Sequence, residues 1–489
     1  MKQKQTFLTG FSKDLYGKAK RSAQEAMRKI RAKALRDSLG GYEMLFEDVL
    51  PCEFLAEIDP TVRNRHFGHR PVLWAWIGQI FGLNASCSSA LGMIQTWCSG
   101  LGITPPKGNT SSYCQARQRM SESFLTQVFS RITQIQRRAI RSCDLWHGFV
   151  LKAFDGTSVK LDDTPANQEV YPQPSSQKVG CGFPVMGAVG LLNMSHGGWE
   201  GFSTGTWKEH DMRGAQKLLG HLEEGDLVLA DRAFCSYELI ARLQAKGVAS
   251  VMRLSGARHR ALDWRRGKKL SPIERLVTWD KPVKRPRGSD LSETEWEDIP
   301  DQITLRYIKM GFEDRAGQKR TLVVVTTLLD PDEHDAVEIS DLYARRWDIE
   351  LKFRDVKTTM GMEEFKVKSP EMAHKTLLMM MIAYNLLRFL MQKSAARADK
   401  PIAQMSLKGT LDVLVSAQSL FRGMARAHLK RQILREEIVE ICATKILDIR
   451  PFRHEPRAVK RRPKPHQYLT APRHEFREIP HKENYRKRA

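Results

Sequence analysis

Residues 225–254 read GDLVLADRAFCSYELIARLQAKGVASVMRL, and the stretch alternates between strand and helix patterns. The apolar run LVLA predicts a buried strand that delivers Asp231 at its C-terminal end. The segment 236–247 predicts a helix that stops at its glycine, and 248–254 predicts another strand. Such an alternation is typical of a mixed α/β domain.

Strand patterns also precede this stretch. The run GFVLKAFDGTSVKL at 148–161 predicts a strand, and we expect Asp155 to end it as Asp231 ends the later one. The runs CGFPVMGAVGLLNMS at 181–195 and WEGFSTGTWK at 199–208 predict two further strands. Several strands therefore lead into the alternating region.

The alternation is then interrupted. Residues 256–322 are rich in Arg, Lys, Trp, Gly and Pro, and ITLRYIKMGF and RTLVVVTTLL are strand patterns. We interpret the region at about 256–325 as a β-rich insertion within the α/β domain. After it, 335–362 predicts one long helix, and the Met-rich helix at 374–392 is expected to pack behind it.

The N-terminal part has helix patterns. PVLWAWIGQIFGLN (71–84) and SSALGMIQTWCSGLGI (88–103) predict two packed helices that end at glycines. A basic helix is predicted at 112–142. A compact helical domain with an Arg-rich helix suits DNA recognition, and a plain helical scaffold gives the same pattern.

The charge of the chain is strongly positive and uneven. The formal net charge is +23 and the sequence pI is near 9.7. Residues 1–40 carry 11 Lys or Arg against 3 Asp or Glu, and residues 450–489 carry 13 against 4. Basic ends of this kind suit contact with nucleic-acid phosphates. The alternative is that they only keep the protein soluble, or bind RNA or anionic membrane without specificity.

Composition bounds the class of protein. The most apolar run, TLLMMMIAYNLL at 376–387, is too short to span a bilayer and reads better as a buried helix. The N-terminus has no continuous apolar segment after its lysines, so we expect no secretory signal. Eight cysteines without a C-x-x-C pair argue against a zinc site and a disulfide framework. We therefore expect a cytoplasmic protein that does not bind membranes.

Four residues with different side-chain chemistry are placed at helical spacing within the predicted long helix. They fall within roughly 60° of one another around the helix axis and are Tyr343, Arg346, Glu350 and Lys357. One face would present a phenol, two cations and a carboxylate. The alternative is a solvated helix held by i,i+4 ion pairs such as Asp348 with Lys352.

Three carboxylates from three elements make a candidate metal site. An Asp directly after an apolar strand lies at a sheet edge, where clefts form, and Glu350 adds a third oxygen ligand. Oxygen-only ligation suits Mg²⁺ or Mn²⁺. Two such ions, roughly 3.5–4 Å apart, promote phosphodiester hydrolysis, because they activate the nucleophile and stabilise the leaving oxygen. Arg346 and Lys357 would then bind flanking phosphates, and Tyr343 would stack on a base or bond a phosphate.

The run Y-x-x-R-x-x-x-E-x-x-x-x-x-x-K at 343–357 resembles the signature of the DDE transposases of the fourth bacterial insertion-sequence family. The resemblance extends over roughly residues 60–395. It includes SYCQARQRM, FDGTSVKL, GDLVLADRAFCSYELI, VMRL, VVTTLLD and SPEMAHKTLLMMMIAYNLLR.

The resemblance implies an α/β, ribonuclease-H-like catalytic domain with a β-rich insertion, preceded by an all-α N-terminal domain. We expect a helical DNA-binding domain over 1–145, the catalytic domain over 146–395, and a helical, basic C-terminal region with a flexible tail over 396–489. The implied metal ligands of two Mg²⁺ ions, with Mn²⁺ as the alternative, are Asp155, Asp231 and Glu350. The implied DNA contacts are Tyr343, Arg346, Lys357 and Arg253, the last of which reads equally as a surface arginine.

The resemblance also implies a reaction. The enzyme would bind double-stranded DNA at terminal inverted repeats, cleave strands at the element ends and join the 3′-hydroxyls to target DNA. Some relatives pass through a hairpin intermediate, and the DNA complex is expected to contain a homodimer. The alternatives are another ribonuclease-H-like nuclease, a catalytically inactive DNA-binding descendant, and a basic RNA-binding scaffold.

Two further features carry no assigned role. Some relatives hold a flipped base against a tryptophan of the insertion, but Trp264, Trp279 and Trp296 match no motif, and a tryptophan is more often part of a core. His210 and Asp211 resemble a catalytic pair. We interpret them as structural, because an Asp near the start of a helix explains them.

Overall fold

The structure is a computed structural model, and it describes residues 41–59, 66–82, 85–100, 102–313, 319–421, 424, 427–447 and 469–476. The basic stretch at 1–40 and most of that at 450–489 lie outside these ranges. The chain forms two compact units. One comprises residues 1–132 and 409–442, and the other comprises residues 133–408 and 443–489.

The N-terminal part of the first unit is helical where it is described, as predicted. Its helices are α1 (Gly41–Leu45), α2 (Cys52–Ile58), α3 (His69–Phe81), α4 (Cys87–Gly100), α5 (Ser111–Arg119) and α6 (Glu122–Arg138). Helix α3 is apolar on all sides, so it is buried almost completely, with Trp74 and Trp76 in the core. The single basic helix predicted at 112–142 is wrong, because α5 and α6 are separate helices.

The second unit is built on a twisted sheet. Its first five strands are β1 (Val150–Leu161), β2 (Val185–Asn193), β3 (Trp199–Thr206), β4 (Asp226–Ala230) and β5 (Ala249–Arg253). They lie in the order β3-β2-β1-β4-β5, with β1, β2 and β3 antiparallel and β1, β4 and β5 parallel. The connections carry α7 (Pro165–Val170), α8 (Asp211–Gln216) and α9 (Tyr237–Ala245). This is the sheet order of a ribonuclease-H-like domain, so the predicted fold class is confirmed.

The insertion extends this sheet. It contains α10 (Gly256–Arg260), β6 (Lys268–Ser271), β7 (Glu274–Asp280), α11 (Glu293–Glu297), β8 (Gln302–Glu313) and β9 (Lys319–Thr326). The four strands are consecutive antiparallel neighbours, and β9 pairs with β5. The order of the sheet is therefore β3-β2-β1-β4-β5-β9-β8-β7-β6, with β10 (Glu364–Phe365) beside β1. The predicted β-rich insertion is confirmed.

The helix predicted at 335–362 is interrupted. Helix α12 (Ala336–Ala344) ends in a tight turn at Arg345 and Arg346, where α13 (Trp347–Arg354) begins, and a π-helical turn follows at Asp355–Thr359. The single long helix is therefore wrong. The Met-rich helix α14 (Pro370–Arg397) is longer than predicted and mostly buried.

The segment 409–442 returns to the first unit. It contains most of α15 (Leu407–Ala417) and α16 (His428–Ala443). Glu47 receives hydrogen bonds from Arg431 and Arg435 of α16, at 3.1 and 2.8 Å. Within the described ranges, no helix is both long enough and apolar enough to cross a membrane.

A buried ion pair joins β1 to the start of β4. The ammonium of Lys152 lies 2.7 Å from Oδ2 of Asp226, and both side chains are almost fully buried. Lys152 also donates to the carbonyl of His221 and lies 3.9 Å from Glu200. Glu200 has further partners in Arg137 and His196, whereas Lys152 is the cation beside Asp226. Loss of Lys152 would therefore leave a carboxylate in the interior without its counter-charge.

We expect Lys152→Met to lower the free energy of unfolding by about 3–5 kcal/mol, because it strands Asp226. The double variant Lys152→Met with Asp226→Asn removes both charges and should recover part of that loss. Urea denaturation of the two variants and of Asp226→Asn alone measures the coupling. A single variant as stable as wild type would show that the pair does not stabilise the sheet.

Candidate active site

Strand register places three charged residues in one row. Ala153 of β1 pairs with Leu229 of β4 in the last pair between these strands. Continued by two residues, this register brings Asp155 next to Asp231, whose charge raises the pKa of Asp155. Ala230 pairs with Met252 of β5, so Asp231 is in turn beside Arg253. Because paired residues of adjacent strands point to the same face, the row runs across that face with strand spacings of about 4.8 Å.

The two aspartates reach the row in different ways. Asp155 is not at a strand end as predicted: β1 continues to Leu161, and Asp155 pairs with Gly190 of β2. It is β4 that ends at Ala230, which opens the sheet beside Asp155. Asp231 follows Ala230 directly, as predicted, and its Oδ1 accepts the N–H of Ala233 at 2.8 Å.

Helix α13 packs on the face that carries Asp155. The ring of Phe353 in α13 lies 4.5 Å, centroid to centroid, from that of Trp199. A Cβ at Gly190 would come within 2.6 Å of the Trp199 ring and 3.1 Å of the Phe353 ring. A glycine beside Asp155 therefore lets α13 approach, and Glu350 lies one turn before Phe353 on that helix.

The four residues of the 343–357 pattern lie on four different segments. Tyr343 belongs to α12, Arg346 to the tight turn, Glu350 to α13 and Lys357 to the π-helical turn. Tyr343 and Arg346 are buried, whereas 43% of the Glu350 side chain is exposed. π-Helical turns occur frequently at functional sites. The pattern therefore does not form one exposed helical face.

The Asp155 carboxylate is destabilised in its charged form. Burial raises its pKa from 3.8 to about 6, and the charges of Glu350 and Asp231 also raise the pKa. The N–H of Gly156, which donates to Oδ1 of Asp155 at 2.9 Å, and the charge of Arg346 lower the pKa. Glu350 and Asp231 are thus both close enough to Asp155 to repel its carboxylate.

The other predicted site residues also interact electrostatically with these carboxylates. Burial raises the pKa of Tyr343, which also feels the charges of Arg346, Arg253 and Asp231. Burial lowers the pKa of Lys357, while Glu363 and Asp155 oppose that change. The structure therefore brings all seven predicted site residues into one region.

Glu350 is held by an ion pair. Nη2 of Arg346 donates to Oε1 of Glu350 at 3.1 Å, across one turn of the chain. The guanidinium is almost entirely buried, so this contact is stronger than an exposed pair would be. Oε1 of Glu350 thereby accepts a hydrogen bond from an arginine.

The donor set fits a hard divalent cation in its chemistry. All three candidate ligands are carboxylates, and their mutual repulsion is what a bound cation would relieve. Among the described residues, however, no three His, Cys, Asp or Glu side chains are placed to hold one ion. The three carboxylates therefore lie in one region without forming a complete set of metal ligands, and Glu350 is paired with Arg346.

A further carboxylate, Asp211, lies on the other face of the sheet and within electrostatic reach of Asp231. A Cβ at Gly156 would come within 2.6 Å of Oδ1 of Asp211, so this carboxylate packs against β1 on the face opposite Asp155. Burial raises its pKa, which the charge of Asp231 raises further. His210 caps α8, and Asp211 is in its first turn, as the structural interpretation expected. The proximity of Asp211 to Asp231 has no signal in the sequence, because it arises from the packing of α8 on β1 and β2.

The three tryptophans of the insertion are packed inward. Trp279 and Trp296 are 3% and 5% exposed, and Trp264 packs against the same core. Their side-chain contacts include a hydrogen bond from the Trp279 Nε1 to the hydroxyl of Tyr307 at 2.6 Å. The rings are therefore structural in this conformation.

Comparison with known proteins gives concordant matches. Residues 146–386 match the family described as Transposase DDE domain. The chain is 24% identical over 417 residues to transposase InsG of insertion sequence element IS4 from Escherichia coli K12, covering 84% of this chain and 89% of the relative. It is 26% identical over 215 residues to the putative transposase InsZ of the same strain, covering 42% of this chain and 68% of the relative. A 72-residue segment is 32% identical to the transposase of element IS421 from Escherichia coli, covering 15% and 19%.

We expect Asp155→Asn to stabilise the metal-free protein at pH 8. Because the pKa of Asp155 is raised on folding, its favourable contribution is present below pH 3.8 and is lost as the pH rises through about 6. The gain at pH 8 is at most roughly 3 kcal/mol and should shrink as the pH falls towards 4. Denaturation in EDTA at a series of pH values measures it.

Asp332→Asn, which changes an exposed aspartate, is the matched control and should show no such pH dependence. If both variants behave like wild type at pH 8, the Asp155 carboxylate is not destabilised in the folded protein.

Proposed function

Because this chain belongs to the DDE transposases of the IS4 family, we propose that Asp155, Asp231 and Glu350 are its catalytic carboxylates. The chain is a transposase, an enzyme that acts on DNA, and enzymes of this family use divalent metal ions. The observation that carries the residue assignment is the register of β1 and β4. That register sets Asp155 beside Asp231, on the face where α13 carries Glu350.

The three carboxylates would hold Mg²⁺, and we propose two ions. When bound, the ions supply an activated oxygen nucleophile and stabilise charge at the scissile phosphate. The chain contributes the position and charge of its carboxylates. Glu350 could bind a metal ion through Oε2 or through the second lone pair of Oε1 while the hydrogen bond from Arg346 to Oε1 orients the carboxylate.

The cations around the row would bind the DNA strand that is processed. Arg253 is exposed and lies beside Asp231 in the register, which suits a phosphate next to the scissile one. Arg346 and Lys357 are less accessible and would contact the strand as it reaches the carboxylates. Tyr343 is buried, so its role would be to support Arg346 and to contact DNA only after a local rearrangement.

The proposed reaction is cleavage at the ends of the element followed by strand joining. The transposase would bind its terminal inverted repeats, hydrolyse phosphodiester bonds at those ends and join the 3′-hydroxyls to target DNA. A homodimer in the DNA complex would process both ends. We propose that residues 1–145 form the domain that recognises the repeat, that 146–395 form the catalytic domain, and that the basic region 396–489 assists DNA binding.

The test is strand cleavage of a labelled duplex that carries the end of the element, with Mg²⁺ and purified full-length protein. We expect end-specific nicking by wild type and at least a roughly 1000-fold loss in Glu350→Ala, because the ligand is removed but DNA binding is not. Glu338→Ala, an exposed glutamate of α12, is the matched control and should cut like wild type.

Each of the other possible outcomes would contradict the proposed function and would favour a different one. Equal cutting by wild type and Glu350→Ala removes Glu350 from the active site. Binding of the end without cutting by either protein, over a range of metals and salt, identifies a DNA-binding descendant without activity. Cutting that ignores the end sequence identifies a nuclease of another purpose.

A further inference from the structure

Residues 256–269, which we name the basic arm, carry charge without an assigned role. The arm reads GARHRALDWRRGKK and contains six Lys or Arg against one Asp, a net charge of +5. It begins three residues after Arg253 and ends on β6, the outermost strand of the sheet. We propose that the basic arm is a second DNA-binding surface, which holds the duplex some base pairs away from the cleaved phosphate.

The arm is anchored by its apolar residues. Leu262 and Trp264 pack against the hydrophobic core that the insertion shares with Phe154 of β1, on the face of the sheet opposite Asp155, and the backbone carbonyl of Trp264 accepts from Nε of Arg275 at 2.8 Å. The guanidinium of Arg258 lies 3.6 Å from the centroid of the Trp279 ring. The arm is therefore anchored to the sheet before DNA binds, which lowers the entropic cost of binding.

The cations of the arm point outward. The side chains of Arg265 and Arg266 are 92% and 84% exposed, and Lys268 and Lys269 are exposed on β6. Asp263 is the acid of the arm, at 3.2 Å from Arg265 and 4.0 Å from Arg266. One carboxylate cannot neutralise four exposed cations, so the surface retains a positive potential that attracts a polyanion.

Strand register fixes the position of the arm relative to the active site. Cross-strand pairs connect Lys268 to Leu276, Arg306, Thr326, Val251, Leu229 and Ala153 in turn. Lys268 therefore starts from the face that carries Asp155 and is five strand spacings, about 24 Å, from Leu229 of β4 and six, about 29 Å, from Ala153 of β1. At 3.4 Å per base pair, these distances correspond to roughly seven to nine base pairs of duplex.

Lysines on an edge strand have another ordinary use. They prevent the open edge of a sheet from pairing with another chain. Arg265 and Arg266 precede β6 and have no part in its edge, so edge protection does not explain them. The same two arginines therefore separate the two explanations experimentally.

The experiment is DNA binding by Arg265→Ala with Arg266→Ala, in EDTA so that no cleavage occurs. The probe is a duplex carrying the element end, and affinity is measured by fluorescence anisotropy as a function of salt. We expect roughly a tenfold or greater loss at 0.1 M salt and a salt slope smaller by about 1.8, because two phosphate contacts are lost. Lys284→Ala with Arg287→Ala removes two exposed charges from the β7–α11 connection and should leave both quantities unchanged.

Neutral methylphosphonate linkages locate the contact. Placed about seven to nine base pairs from the cleavage position, they should weaken binding by wild type but not by the arm variant, because the arm variant has already lost the contact with those phosphates. Equal small losses in the arm variant and the control variant would overturn the proposal in favour of unspecific charge. A larger loss of single-stranded RNA binding than of duplex binding would overturn it in favour of an RNA surface. Unchanged DNA binding with new self-association in Lys268→Ala plus Lys269→Ala would leave edge protection as the account.

This proposal rests on the proposed function, yet the two fail separately. The arm is judged by metal-free binding, whereas the carboxylate assignment is judged by cleavage in Glu350→Ala. Loss of binding in the arm variant, together with equal cutting by wild type and Glu350→Ala, would retain the arm and reject the carboxylates.

Discussion

The hydrogen-bonded register between β1 and β4 is the constraint on which the site depends. It pairs Ala153 with Leu229, so that two aspartates fall side by side where β4 ends. The buried pair between Lys152 and Asp226 joins the same two strands at their other end. A slip of one residue would move Asp155 to the opposite face, so a charged pair in the interior and a reactive pair at the edge share one register.

This arrangement concentrates like charge at the cost of stability. Burial and two neighbouring carboxylates raise the pKa of Asp155 to about 6, and the nearby guanidinium of Arg346 only partly compensates. Gly190 allows α13 to approach closely enough for Glu350 to join this repulsion. Such strain at a functional site is offset elsewhere, here by the packing of Trp199 and Phe353 and by the long buried helix α14.

The sequence correctly predicted the strands, the position of Asp231 directly after a strand, and the β-rich insertion, because apolar runs and turn residues are local signals. It could not show that Asp155 lies within a strand, since the opening beside it is created by the end of β4. The sequence also did not predict the turn at Arg345 and Arg346 or the π-helical turn that follows α13. Helical spacing of side chains does not reveal where one helix ends or where the helix type changes. Glu350 was assigned through family resemblance, and the charge pattern of its helix alone fitted a solvated surface.

The insertion and the strands that carry the carboxylates belong to one sheet but have different roles in the proposed function. Its tryptophans pack against the core, whereas Arg265 and Arg266 of the basic arm are exposed, so the arm presents charge rather than aromatic surface. Because β9 pairs with β5, the insertion continues the sheet that carries the carboxylates. The distance between a phosphate bound at the basic arm and one bound at Asp155 would then be set by backbone hydrogen bonds, not by a loose loop. A DNA contact fixed in this way would act as a ruler for the cleavage position, which a charge on a disconnected loop could not do.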